Sequence, residues 1–277
     1  MRLTARVTRA LLLVLAAGMT ASPAAAAPPE SRTLAAWQTY VGLTEARIRR
    51  ELDSPRGFLA SDFTSDRDEL RRQVMRGSIL LGRVTTRDDQ GREIDIPGGT
   101  LQHWRGAVFL PGITLRPLLD ALRHPPEHGP FPQDVLAMRV EHRDADALDM
   151  FIRVSRSSIV TVTYDTEHRV EFRPRDPARA STRSVATRIT EVDGAGSPAE
   201  RALGPADDHG YLWRMNSYWR YEQVEGGVIA EMESLTLSRK VPSAVRFLVD
   251  PIVDRIARES VERTLRGFRE LYLARLI

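Results

Sequence analysis

Cysteine is absent from the 277 residues. That excludes disulfides, thiolate metal sites, a cysteine nucleophile and a lipid anchor on cysteine. Lysine is nearly absent too, Lys240 being the single one, so the cations of this chain are arginines. Histidine occurs only at positions 103, 124, 128, 142, 168 and 209. His124 and His128 have a helical metal-ligand spacing, but Pro125 and Pro126 lie between them and no third ligand accompanies them, so no metal site is expected. G-x-S-x-G, the P-loop and G-x-G-x-x-G are all missing; Gly194-Ala-Gly196 lacks the third glycine. No cofactor is implied and no residue is assigned a catalytic role.

Long apolar runs are also missing. The longest, Ala10 to Ala17, follows Arg2, Arg6 and Arg9 and precedes the small residues Ala24 to Ala27. It is too short to span a bilayer, and the order is that of a secretory signal peptide, assigned to residues 1–27. A periplasmic or secreted protein is therefore expected. Cleavage removes three of the 40 basic residues and leaves 37, against 37 acidic. A formally neutral mature chain gives no reason to expect nucleic acid as a partner, and the mature form should carry no transmembrane segment.

In what remains, Tyr211 to Ser238 organises the rest. Trp213, Met215, Trp219 and Tyr221 fall on alternate positions, a strand with one apolar face. Gly226-Gly227 supplies a tight turn, and Val228 to Ser238 resumes an extended pattern. With either two-residue loop, Arg214 and Arg220 share a face with Glu231 and Glu233, read here as solvent-facing ion pairs; Val228, Ala230 and Met232 join the apolar face. Before this hairpin, five further strand-like runs are expected: Leu101–Leu110, Val135–Glu141, Leu148–Val154, Ile159–Phe172 and Ser181–Val192. Thr114 caps a helix with a Leu115, Leu118, Leu119, Leu122 stripe.

Past Pro242 the period turns helical. Val245, Leu248, Val249, Ile252 and Ile256 form one stripe, Pro251 within it marking a kink or restart; Val261, Leu265, Phe268 and Tyr272 form a second. Residues 28–99 read as an extension: an amphipathic helix over Ser31–Leu52 carrying Leu34, Trp37, Val41 and Ile48, a short helix over Ser65–Arg76 and a weak strand over Ser78–Thr86.

The order strand, two helices, six strands and long helix, with YLWRMNSYWRYE, EGGVIAEMESLTLSR and the VP before the last helix, resembles the START-like (SRPBCC, helix-grip) superfamily. The likeness spans residues 100–277 and is to bacterial members of unassigned activity. It implies an α+β helix-grip fold: a curved, seven-stranded antiparallel sheet wrapped around a long C-terminal helix, here with an N-terminal helical extension. It further implies a cavity between sheet and helix for a hydrophobic or amphipathic, lipid-like small molecule. Trp213, Met215, Ser217, Trp219, Tyr221 and Met232 of the hairpin, Phe268 and Tyr272 of the helix and His103 of the first strand are the residues expected to line it. Two other readings stay open. One is an aromatase- or cyclase-type enzyme in the same cavity, with His103 or Tyr221 moving protons. The other is an interaction protein with a filled cavity, using the Leu34, Trp37 and Val41 helix as its contact surface.

Overall fold

The computed structural model describes residues 28–129, 131–157, 161–240 and 246–276, with only the backbone for 246–252. The expected signal peptide, the VP dipeptide, and the side chains of Val245, Leu248, Val249 and Ile252 lie outside what is described.

Among the described residues, four α-helices and nine strands follow one another: α1 (Ser31–Leu52), a 3-10 turn (Ala60–Phe63), α2 (Arg67–Met75), β1 (Leu80–Arg83), β2 (Gly99–Pro111), α3 (Leu115–Arg123), β3 (Val135–Arg143), β4 (Ala147–Ser157), β5 (Thr161–Asp176), β6 (Arg179–Asp193), β7 (Arg201–Ala202), β8 (Arg214–Val224), β9 (Gly227–Arg239) and α4 (Arg246–Leu276). The strands form a single antiparallel sheet in the order β1-β2-β9-β8-β6-β5-β4-β3, with β7 beside β6. The seven expected strands are all present; β1, within the weak strand expected over Ser78–Thr86, and the unexpected β7 bring the sheet to nine. The sheet grips α4, which packs chiefly along β2. This is the helix-grip arrangement, with the consecutive β3-β4-β5-β6 meander toward one edge and the first and last long strands, β2 and β9, paired beside β1 toward the other.

Hairpin β8–β9 turns at Glu225-Gly226, since Val224 faces Gly227. The two glycines serve different needs. Gly226 takes a φ of +78°, where a side chain would be strained. At Gly227 an added Cβ would sit 2.3 Å from the Leu110 carbonyl oxygen on β2. A third glycine, Gly106 on β2, lets the helix approach: a Cβ there would lie 2.5 Å from Leu265 Cδ1. Leu265 is fully buried in the main core with Val108, Leu110, Tyr221, Ala230, Met232, Phe268 and Tyr272.

Three sequence expectations are corrected. Pro251 does not restart the helix, for α4 is assigned continuously through it. Thr114 stands at the N-cap of α3 without a side-chain cap bond; Gln223 Oε1 accepts the Leu115 N–H instead, at 2.6 Å. Of the charged hairpin face only Arg214 is exposed; the rest is not solvent-facing. Arg220, Glu231 and Glu233 are 3 %, 2 % and 2 % exposed, because α1, the 3-10 turn and α2 lie across them. Trp37, Tyr40 and Ile48 of α1 pack on Trp213, Tyr218, Leu235 and Leu237, while Phe58, Leu59 and Val74 pack on Ala107 and Ile229. The extension thus covers the convex side of β2, β9 and β8, and Trp37 is core rather than a contact surface.

Candidate functional site

Side chains alternate across a strand, so the register assigns every inward residue to one of two faces. Opposite Met232 on β9 stands Trp219 on β8, and opposite Ser234 stands Ser217. Ser217 in turn faces Ser184 on β6, and Trp219 faces Thr182. Phe172 on β5 faces Thr182, and His168 faces Ala186. Met150, Ile152 and Val154 on β4 face His168, Thr166 and Tyr164. These residues make up the concave face, beside α4.

The two ends of that face differ. Toward the hairpin turn the helix fills it: the Phe268 ring lies 4.7 Å from Trp219, 6.2 Å from Tyr221 and 4.7 Å from Tyr272. Tyr221 is 1 % exposed, its hydroxyl 3.4 Å from Thr182 Oγ1, and burial raises its pKa well above the usual phenol value. Further along, Met215, Ser217 and Trp219, with Ser184, Ser234 and Thr236, are only half-buried. On the same strand the convex-side residues Asn216, Tyr218 and Arg220 are fully buried. From Met215 to Trp219 the concave side of β8 is thus the more open one, and the charged side expected to face solvent is buried there.

His168 is the inward histidine of this region. It is 7 % exposed, with Nε2 3.0 Å from Thr166 Oγ1 and Nδ1 3.2 Å from Ser184 Oγ. Its partners are hydroxyls, so no carboxylate offsets desolvation, and its pKa falls to about 4. It is a neutral imidazole at pH 7. Nothing local in the sequence marked it, because its inward position depends on the β5–β6 register.

Of the nine residues expected to line the cavity, the structure brings seven together on this face: Met215, Ser217, Trp219, Tyr221 and Met232 from the hairpin, with Phe268 and Tyr272 from α4. The other two are corrected. Trp213 precedes β8 and is buried against α1 on the convex side; the alternation through Met215 and Trp219 does not extend to it. His103 is also on the convex side, 2 % exposed. The cause is parity: Trp104 and Gly106 point inward, so His103 points outward, under α1.

There His103 belongs to a buried polar network. Thr86 N–H donates to Tyr40 Oη at 2.9 Å, Tyr40 Oη lies 3.0 Å from His103 Nδ1, and His103 Nε2 lies 3.1 Å from Glu233 Oε2. Burial lowers the His103 pKa against the pull of Glu233. A neutral ring must donate from Nε2 to the carboxylate, so Nδ1 accepts the tyrosine proton. Burial raises Glu233, but the His103 hydrogen bond and the Arg47 guanidinium outweigh it and hold the carboxyl well below the usual range. Arg47 reaches Glu233 at 2.5 Å and Glu51 at 2.9 Å. Arg220 reaches Glu51 at 2.5 Å and Glu233 at 3.7 Å and donates to the Phe58 carbonyl at 2.9 Å. Glu231 accepts the N–H groups of Ala60 and Ser61, and burial pushes its carboxyl up. Nearly every acceptor is spoken for, which is how such a network clamps a segment rather than serving chemistry. A cleft of about 320 Å³ opens beside it, bounded by Tyr40, Thr86, Ile94, Leu101, Gln102 and, on α4, Asp254.

No protein-family model matches the chain, and no curated protein is similar to it in sequence. Among solved structures it is similar to a STAR-related lipid transfer protein from Xanthomonas axonopodis, at 14 % identity, 70 % of this chain, 98 % of that one and a TM-score of 0.45. A START superfamily protein from Mycobacterium smegmatis follows, at 8 % identity, 65 % of this chain, 99 % of that one and a TM-score of 0.39. An aromatase/cyclase from a Streptomyces species matches at 11 % identity, 64 % of this chain, 97 % of that one and a TM-score of 0.37. At these identities and scores the likeness says nothing of ligand or activity. By its own strand order and its gripped C-terminal helix, the chain has the START-like helix-grip fold.

Proposed function

We propose that this is an exported binding protein that holds a hydrophobic or amphipathic small molecule on the concave face beside α4. The observation that supports this reading is the half-buried row Met215, Ser217 and Trp219 on a strand whose opposite side is fully buried. An indole, a thioether and small hydroxyls left partly uncovered inside a grip suit a ligand that is mostly apolar with a polar group or two. Export rests on the arginine-flanked apolar run at the N-terminus. Residues 28–99 serve in this reading as a fixed cover of the convex face, outside the ligand site.

The test is mass spectrometry of the protein purified from a periplasm or culture medium, under native and then denaturing conditions. A mass excess that disappears on denaturation and yields a defined lipid-like compound supports the reading. Trp219→Ala, folded by circular dichroism, should then bind that compound at least tenfold more weakly. An empty protein that also takes up no lipid in titration refutes it.

An enzyme of the aromatase or cyclase type is the second reading, and one observation favours it. His168, not His103 or Tyr221, is a neutral imidazole on the concave face, in the protonation state a general base needs. Turnover of a cyclisable substrate, lost in His168→Gln, would select it.

A further inference from the structure

Past the end of β1 the chain leaves the sheet. Val84 N–H still donates to the His103 carbonyl at 2.9 Å. Residues 85–96 then form a separate arm, closed by an Arg87–Glu93 bridge, before the chain returns at Gly99 to begin β2. The cleft of about 320 Å³ lies between this arm and β2, near the lower end of the range for ligand pockets, about 300–1,000 Å³. Tyr40, Val84 to Thr86 and Glu93 to Ile96 of the N-terminal extension make one wall; β2 and α4 make the other.

The floor of the cleft is an open sheet edge. Along a strand, successive residues turn their N–H and C=O groups to alternate edges. The Gly98 carbonyl points toward β9, accepting Lys240 N–H at 3.0 Å, and the His103 carbonyl points toward β1. The β2–β9 register runs unbroken between them, so Leu101 shares the edge of His103. Its N–H and C=O therefore face the cleft, where β1, ending at Arg83 opposite Trp104, no longer reaches. Among the described residues neither group has a backbone partner. Side chains alternate as well. Leu101 lies on the convex side with Tyr40, Ile94 and Ile96. Gln102 lies on the α4 side, its Nε2 donating to Asp254 Oδ1 at 2.8 Å and its Oε1 accepting the Trp104 indole N–H at 3.0 Å. Arg83 donates to the other Asp254 oxygen at 2.5 Å, so that carboxylate is already balanced.

We propose that this cleft binds a short extended peptide, which adds one antiparallel strand segment to the open edge of β2 opposite Leu101. The N–H and C=O of Leu101 complement a single peptide residue, because in an antiparallel hydrogen-bonded pair one partner exchanges both bonds. Opposed residues share a face. The side chain of that residue meets Tyr40, Ile94 and Ile96 and is apolar; its two neighbours turn toward Gln102 and the balanced Asp254 and carry uncharged hydroxyl or amide groups. The length is set by what closes the edge: β1 beyond His103, and at the other end the turn in which Gly99 N–H donates to the Ile96 carbonyl at 3.1 Å. About three extended residues, about 10 Å, fit between. The site does not depend on what the concave face holds.

The experiment is calorimetric titration of the full chain with the tripeptide Thr-Val-Thr, acetylated and amidated at its ends, and with the same peptide N-methylated at valine. The first should bind saturably. The second, which lacks the N–H that Leu101 C=O would accept and carries a methyl group in its place, should bind at least tenfold more weakly. Leu101→Pro removes the other bond at an edge position where proline is tolerated; folded by circular dichroism, it should also weaken the unmethylated peptide at least tenfold. If that variant does not fold, the pair of peptides decides alone, since it needs no change in the protein. Equal binding of the two peptides overturns strand addition, and so does the absence of saturable binding up to millimolar peptide. Either result leaves the reading of the concave face standing, because no residue of the hairpin takes part.

Discussion

Replacing Arg220 with methionine tests whether the extension is locked to the sheet by buried charge. The side chain is 3 % exposed, holds Glu51 at 2.5 Å and approaches Glu233 at 3.7 Å, and donates to the Phe58 carbonyl at 2.9 Å. Methionine keeps most of the apolar stem and removes the charge. Arg47 would then be the only guanidinium left facing Glu51 and Glu233, both already its partners, and the Phe58 carbonyl would lose its donor. Removing one member of a buried ion pair costs about 3–5 kcal/mol, because the partner keeps a charge it can no longer pair. That is a third or more of the total stability of an ordinary domain. The assay is urea unfolding at pH 7.5, followed by tryptophan fluorescence, with Trp37 and Trp213 reporting from the convex side and Trp104 and Trp219 from the concave one. Arg220→Met should lower the unfolding free energy by about 3–5 kcal/mol, and residues 28–99 should become the first segment cut by protease. Adding Glu51→Gln should cost less than it does in the parent protein, since its partner has already gone. A loss below about 1 kcal/mol, the range of exposed pairs, would refute the reasoning and mean that solvent reaches this face.

Two further outcomes follow from particular contacts. His168 has a folded pKa of about 4 against about 6.5 unfolded. The unfolded chain therefore binds the proton first, and the stability His168 contributes is complete above about pH 6.5 and is lost as pH falls toward 4. By linkage this amounts to about 2 kcal/mol between pH 8 and pH 5. His103, also lowered by burial, acts in the same direction. Denaturant titrations of wild type and His168→Gln across that interval should diverge by the His168 share, and parallel curves would show that the imidazole is solvated. Gly106→Ala places a methyl 2.5 Å from Leu265 Cδ1 and 2.7 Å from the Leu80 carbonyl oxygen. Because one obstacle is backbone, overpacking should cost about 1–3 kcal/mol, read as a lower thermal midpoint; an unchanged midpoint would mean the helix stands off the sheet.

Much of the architecture is written in local pattern. The period of two in β2, β4, β5, β6, β8 and β9, and the 3.6-residue stripe Val261, Leu265, Phe268 and Tyr272, specify strands and helix through the geometry of one chain segment. The two glycines at the hairpin fix its turn and hence its register. So Met215, Trp219 and Met232 were legible as one face, and Arg220 with Glu231 and Glu233 as the other. What the pattern did not contain was which face meets water. Alternation says only that two faces differ; burial depends on what else packs there. The answer lay some 170 positions earlier in the chain, where Arg47, Glu51, Tyr40 and two backbone amides supply partners for a charged face that would otherwise be costly to bury. His103 and His168 change places for the same reason. Each sits in an unremarkable strand, and only parity across the β2–β9 and β5–β6 registers sends one outward beneath α1 and the other inward. The sequence by itself determined the elements, their order and the two-faced hairpin; the tertiary structure decided which face is closed and which histidine faces the groove, because those depend on contacts between distant segments.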